Sequence, residues 1–313
     1  MTRVRSLVVL MVMIIAIFVV ARADTTAQES RPTFTSQAEP VVLHVTVKDR
    51  RGAYVTDLSK DAFTVLEDER PNPISVFTAV DSPVTVGLII DSSGSMRQGR
   101  NHVLAAATAF ASASHPQDDL FAVTFNENVR DVLPATAPFT SDPSVLQAAL
   151  DRTIRAYGRT ALYDAIRRGL AYIEDGRHPR RPLVLVADGG DNASAATFEQ
   201  VLGDAQASNA AIYAVGVVDP VDRNANRGRL RDLARATGGE AFFPRRVEDV
   251  PDVLRHIAEE IRHTYTVGFV PPDLGQDGAF HRLRVEVRAA DRRSLTVRTR
   301  EGYRASLART RSQ

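Results

Sequence analysis

Between residues 84 and 262 the chain repeats one pattern: a short apolar run without alternation, then apolar residues at helical spacing. Val84-Thr85-Val86-Gly87-Leu88-Ile89-Ile90 opens the pattern with a run that has no wet face. Such a run suits a central parallel strand covered by helices on both sides. Val103, Ala106, Ala107, Phe110 and Ala111 then recur as a helix would place them. Residues 120–125 give the next strand, and residues 129–133 turn back against it across Asn126-Glu127-Asn128 as an antiparallel edge. Asp142-Pro143 starts a helix, with a capping carboxylate followed by proline at the first helical position. Helices over 162–173, 198–205, 229–236 and 250–261 then alternate with strands over 183–187, 212–218 and 241–243. The alternation predicts an α/β fold, a Rossmann-like doubly wound and mostly parallel sheet.

The flanks change period. Val41, Leu43, Val45 and Val47 share one phase and His44, Thr46 and Lys48 the other, which reads as a half-buried strand. Residues 63–67 and 74–80 read as further strands, separated by a turn around Arg70-Pro71-Asn72-Pro73. Residues 265–270 form another strand. Leu283, Val285 and Val287, then Leu295, Val297 and Thr299, alternate on either side of a turn near Ala290-Asp291-Arg292, as a β-hairpin with one wet face would. Each flank has too few strands to bury a face alone, so residues 39–82 and 264–305 are expected to join in one small β module beside the domain at 84–262.

At the N-terminus a basic start leads into an apolar run of 14 residues, 7–20, and then Ala21-Arg22-Ala23. That order reads as a secretory signal peptide cleaved after Ala23, and the run is shorter than the ~20 residues of a spanning helix. An uncleaved anchor is the alternative. Residues 24–38 and 306–313 are polar and read as a disordered linker and tail. The expected location is secreted or periplasmic, with no membrane role beyond targeting. There is no cysteine, which excludes disulfides, thiolate metal sites and a lipoprotein anchor. Without residues 1–23 the chain has 36 basic and 38 acidic residues, a net of −2, which argues against binding nucleic acid by bulk charge.

The first central strand ends in Asp91-Ser92-Ser93-Gly94-Ser95. Ligands of open parallel sheets bind beyond the carboxyl ends of the strands. A turn there can aim Asp91, Ser93 and Ser95 at one point, and converging hard oxygens suit Mg²⁺. Gly158-Arg159-Thr160 offers a hydroxyl from a second loop, and Ala187-Asp188-Gly189-Gly190-Asp191-Asn192 a carboxylate from a third.

These three loops, in this order, resemble the metal-ion-dependent adhesion site (MIDAS) of the von Willebrand factor A domain, though Ala187 stands where that family commonly has a polar residue. The wider chain resembles bacterial secreted VWFA-related proteins, through Val47-Lys48-Asp49-Arg50-Arg51-Gly52, Val65-Leu66-Glu67-Asp68 and Arg300-Glu301-Gly302-Tyr303. The resemblance implies that Asp91, Ser93, Ser95, Thr160 and Asp188 hold Mg²⁺, or Mn²⁺ or Ca²⁺. The hydroxyls would bind directly or through water, and the two carboxylates mostly through water. It implies capture of an Asp or Glu from a protein partner in adhesion or complex assembly, and no enzymatic activity.

Two other readings compete. One is a structural scaffold whose metal only stabilises the fold. The other is a metal-dependent hydrolase with Asp91 as nucleophile, for which the second aspartate of the haloacid-dehalogenase pattern is replaced by Ser93. His256 and His263 are seven residues apart, a poor metal pair, and read as solvated helix histidines. Asp191 reads equally as added charge near the site or as a loop cap. Asn192-Ala193-Ser194 matches a glycosylation acceptor too short to carry weight.

Overall fold

Seven consecutive buried residues, Thr85–Asp91, form the strand on which the central sheet is built. The computed structural model describes residues 40–97, 99–217, 226–271, 278–289 and 294–305. The signal-peptide, linker and tail expectations, and the turn near Ala290-Asp291-Arg292, lie outside the described residues. The strands are β1 Val41–Lys48, β2 Phe63–Glu67, β3 Arg70–Asn72, β4 Val76–Thr78, β5 Thr85–Asp91, β6 Asp119–Phe125, β7 Val129–Asp131, β8 Pro182–Ala187, β9 Ala211–Gly216, β10 Ala241–Phe242, β11 Thr264–Phe269, β12 Phe280–Val287, β13 Thr296–Arg298 and β14 Gly302–Arg304. The helices are α1 Arg100–Ala113, α2 Pro143–Thr153, α3 Leu162–Ile173, α4 Phe198–Ala207, α5 Arg227–Thr237 and α6 Val250–Arg262.

The central sheet has the order β10-β9-β8-β5-β6-β7, parallel except for the β7 edge. One face packs against α1, α2 and α6 through residues such as Val103, Phe110, Leu146, Leu254 and Ile257. The other packs against α3, α4 and α5 through Ile166, Leu170, Val201 and Leu233. Strands sealed on both faces can be apolar throughout, which is why their runs do not alternate. Asp142 caps α2 by accepting Ser144 N–H at 2.8 Å, with Pro143 beginning the helix. Gly238 ends α5 in the left-handed conformation, φ 83°, where a Cβ would also lie 2.5 Å from Arg300 N.

The flanks interleave in two four-stranded sheets, β13-β1-β11-β4 and β14-β12-β2-β3, each drawing strands from both ends of the chain. Leu43, Val45, Phe63, Val65, Tyr265, Val267, Phe269 and Leu283 share their core. Three expectations about the flanking strands need correction. The first concerns β12 and β13, which do not form a hairpin. β12 pairs with β2 and β14, whereas β13 pairs with β1 in the other sheet. Both strands send their apolar phase into the same core, so alternation alone fits either arrangement. The second is the turn after β2. It falls at Asp68-Glu69, both with positive φ (47° and 65°), and Arg70–Asn72 is strand rather than turn. A two-residue hairpin loop requires such angles, and no glycine marks it here. The third is β1, which is buried on both faces. His44 and Thr46 are 6% and 3% exposed because this face docks on the α/β unit.

That seam is polar and paired. Val42 N donates to Asn209 Oδ1 at 3.1 Å, and His44 Nε2 donates to Asn209 O at 3.0 Å. Glu260 of α6 is 0% exposed and meets Lys48 Nζ at 3.2 Å, the Tyr54 hydroxyl at 3.3 Å and the Arg298 guanidinium. Two buried arginines sit on carbonyls at helix C-terminal ends. Arg180 donates to Ile261 O in α6 and to Ser82 O. Arg300 donates to Gln206 O and Ser208 O at the end of α4, at 2.5 and 2.8 Å, and to Gly302 O at 2.9 Å. The carbonyls of Ile261, Gln206 and Ser208 lie at helix C-termini, the negative end of the helix dipole. His256 and His263 are half-buried rather than solvated: His256 sits edge-on to Phe242, and His263 stacks on Tyr54.

Candidate metal site

Three segments meet at the carboxyl ends of β5 and β8. Asp91 is the last residue of β5, and a 3-10 turn follows over Gly94–Arg97. Ser92 is pinned to the end of β6, its N–H and Oγ donating to Phe125 O at 2.7 and 3.0 Å. Tyr157 N donates to Ser92 O at 3.1 Å, and Gly94 N to Gly158 O at 3.2 Å. The loop at 155–160 is thus fastened to the turn at 92–94. Gly158 has φ +82°, and a Cβ there would lie 1.7 Å from Glu127 Oε2.

Three of the five expected side chains are linked directly, and a fourth, Asp91, is held by the backbone of Ser93. Ser93 Oγ is 3.0 Å from Ser95 Oγ, and Ser95 Oγ donates to Asp188 Oδ2 at 2.8 Å. Asp188 Oδ1 accepts Gly190 N–H at 2.8 Å. Asp91 Oδ1 accepts Ser93 N–H at 2.8 Å, but Asp91 Oδ2 is buried with no hydrogen-bond partner. Burial, then the Asp188 carboxylate, push Asp91 up to about 7 despite the Ser93 hydrogen bonds. Leaving such an oxygen unsatisfied costs about 1–3 kcal/mol, more for a charged group.

Thr160 makes no bond to the other four. Its N–H donates to Asn192 Oδ1 at 2.9 Å, and its carbonyl accepts from Asn192 N and Ala193 N, both at 3.0 Å. Among the described residues nothing hydrogen-bonds its hydroxyl. Asn192 is therefore the residue that ties the Thr160 loop to the Asp188 loop. Asp191 is a cap: Tyr163 N donates to its Oδ2 at 3.1 Å, and Ser194 Oγ does so at 2.5 Å. Asp164 reciprocates by accepting Ala195 N and Ala196 N at 2.8 and 3.0 Å. A signal for these partners exists in the sequence. The residue before α3 is Ala161, which has no side-chain cap, so the first N–H groups of α3 need acceptors from elsewhere.

The donor set is two carboxylates and three hydroxyls, all hard oxygens. It is not a cluster of three or more His, Cys, Asp or Glu, of which there is none among the described residues. Hard oxygens with a carboxylate oxygen left over fit Mg²⁺ or Ca²⁺ better than a softer metal.

The family model described as von Willebrand factor type A domain matches residues 86–259. No relative among curated proteins matches. A solved structure described as von Willebrand factor type A from Catenulispora acidiphila is 15% identical, with 87% of this chain and 75% of that chain covered and a TM-score of 0.50. The vWF domain of a type V pili tip protein from Porphyromonas gingivalis is 13% identical, covering 58% of this chain and 96% of that one at a TM-score of 0.48. An aerotolerance-related membrane protein from Bacteroides fragilis is 15% identical, covering 56% and 99% at a TM-score of 0.45. At such identities the likeness is one of fold.

Proposed function

We propose, from the premise that this chain belongs to the von Willebrand factor type A domain family, that it is an extracytoplasmic binding module in which Asp91, Ser93, Ser95, Thr160 and Asp188 hold a divalent cation and present it to a carboxylate of a protein partner. The observation that carries this reading is Asp91 Oδ2, a buried carboxylate oxygen with no partner, placed beside a second carboxylate and two hydroxyls already in contact. A bound cation supplies positive charge that relieves this repulsion and leaves an electrophilic position for an incoming carboxylate. The chain's own residues do the positioning. Ser93 and Ser95 hold the hydroxyls within 3.0 Å of each other, the Gly190 N–H orients Asp188, and Asn192 fixes Thr160 by its backbone so that the hydroxyl stays available.

Thermal unfolding with Mg²⁺, Mn²⁺ or Ca²⁺ against EDTA tests the metal. The cation should raise the Tm of the wild type by linkage. Thr160→Ala should cost no more than ~1 kcal/mol of stability and blunt that response. An equal response in both proteins would sink the site. Capture of a partner from extracellular extract, lost on chelation, supports the adhesion reading. A metal-raised Tm with no chelation-sensitive partner would favour the scaffold. Among the described residues no helix is long and apolar enough to cross a membrane. Export is tested by N-terminal sequencing of the mature protein, which should begin at Asp24.

A further inference from the structure

The loop at 155–160 has a second property besides carrying Thr160. Tyr157 is 45% exposed, one of four large apolar side chains so exposed among the described residues, and its N–H is bonded to Ser92 O beside the metal turn. Arg155 and Arg159 flank it in the chain and are exposed, and Arg97, also exposed, ends the 3-10 turn to which this loop is fastened. Some surface arginines are matched with acids, as in Arg167 with Asp204, Arg168 with Asp131, Arg262 with Asp81 and Arg284 with Glu69, whereas others, such as Arg51, Arg70 and Arg130, are not. What sets Arg97, Arg155 and Arg159 apart is their place on the two segments that carry the site. Among the described residues no carboxylate lies within ion-pair distance of Arg97, Arg155 or Arg159. Glu127 is engaged by the Arg159 backbone N–H at 2.8 Å, and Asp191 caps α3.

The consequence is a rim of three arginines without carboxylate partners on the two fastened segments that carry the site, with the exposed Tyr157 between two of them in the chain, beside a centre whose two carboxylates a divalent cation would neutralise. We infer that this rim selects an acidic protein segment, one carrying further carboxylates beside the one that meets the cation and an apolar side chain to cover Tyr157. Charge complementarity is the argument. A partner with a single acid gains only the central contact, whereas flanking acids gain charge-assisted bonds from guanidinium groups that have no competing carboxylate. Tyr157 offers the rigid amphipathic surface that anchors such contacts. The inference rests on the metal reading of the same site.

Two labelled synthetic peptides test it on the full chain by fluorescence anisotropy in Mg²⁺. One is a Gly/Ser decapeptide with one Asp, the other the same peptide with three Asp and one Leu. The tri-acidic peptide should bind at least tenfold more tightly and lose more affinity as salt rises. Arg155→Gln/Arg159→Gln should remove most of that advantage, and Tyr157→Ala a threefold part of it, while the heat of Mg²⁺ binding in calorimetry stays at the wild-type value. Equal affinity for the two peptides, no binding of the tri-acidic one, or an advantage that survives the double arginine substitution overturns the inference. So does stronger competition by a single-stranded oligonucleotide than by the unlabelled tri-acidic peptide, which would make the rim a phosphate-binding surface. Absence of any Mg²⁺ heat in the wild type would instead bring down the metal reading beneath it.

Discussion

Glu260 and Asp91 are both carboxylates shut away from solvent, 0% and 1% exposed, yet their surroundings differ in kind. Glu260, at the seam between the α/β unit and the interleaved β sheets, is met by Lys48, Arg298 and the Tyr54 hydroxyl. Asp91, at the carboxyl end of the inner strand β5, faces another carboxylate and keeps one oxygen with no partner. The seam holds further charge on the same terms, since the buried guanidiniums of Arg180 and Arg300 are occupied by helix-end carbonyls. A chain able to satisfy buried charge so fully at one place leaves it unsatisfied at another, where a ligand would complete the set.

Breaking the seam should give the largest effect. Glu260→Ala leaves Lys48 without its ion-pair partner and Arg298 with Glu240 alone, both side chains about a quarter exposed. Removing one partner of a buried pair costs about 3–5 kcal/mol, and this exposure places the loss at the lower end of that range. Urea unfolding should show a midpoint shift of that size. A loss below about 1 kcal/mol would mean the seam opens to water and is no tighter than a surface contact.

The pH dependence of the seam sharpens the same contrast. Burial pushes His44 down from 6.5 to about 4, opposed by its bond to Asn209, with the charges of Arg180, Arg300 and Arg181 lowering it further. The folded pKa lies below the unfolded one, so the unfolded chain binds the proton first as pH falls. The stability of neutral His44 is full above pH ~6.5 and is lost towards pH 4, where it amounts to about 3 kcal/mol. Asp91, pushed up to about 7, acts with the opposite sign over the same range, so the measurement is the difference between wild type and His44→Gln. That difference should shrink in the wild type's disfavour between pH 7 and pH 4. A difference constant with pH would show His44 to be solvated.

What the sequence revealed follows from how local each signal is. The central strands are legible because burial on both faces disfavours polar residues, and β5 obeys this between Thr85 at its start and Asp91 at its end. Asp91, Ser93 and Ser95 are legible because one turn sets their spacing. Asn192 and Ser194 were missed because their work is done on residues 160–164, about 30 positions earlier. The seam was illegible for a different reason. His44, Thr46 and Lys48 fall on the polar phase of β1, which looks the same whether that face meets water or a paired polar surface. The pairing of β13 was hidden likewise, since its apolar phase enters one shared core from either sheet. Arg300-Glu301-Gly302-Tyr303, recognised only as a family resemblance, now has physical content: Arg300 sits on the α4 carbonyls, Glu301 pairs with Arg235, and the Tyr303 hydroxyl donates to Glu67 at 2.5 Å.

The smallest expected effect on folding is the most telling about the site. Asp91→Asn keeps the side-chain shape and an oxygen that can accept the Ser93 N–H, but it removes a buried charge that has no partner and its repulsion with Asp188. In EDTA the variant should therefore lie within about 1 kcal/mol of the wild type, or above it, against the loss of about 3 kcal/mol in Glu260→Ala. The gain in Tm on adding Mg²⁺ should disappear in Asp91→Asn and persist in any seam variant that still folds, because only the former alters the oxygen set. Urea unfolding in EDTA and thermal scans with Mg²⁺ give the two numbers for each protein. If Asp91→Asn costs as much as Glu260→Ala, Asp91 is a satisfied structural carboxylate and the contrast between seam and site is false. If its stability holds but the Mg²⁺ response also survives, the unsatisfied oxygen is real and the cation is held elsewhere.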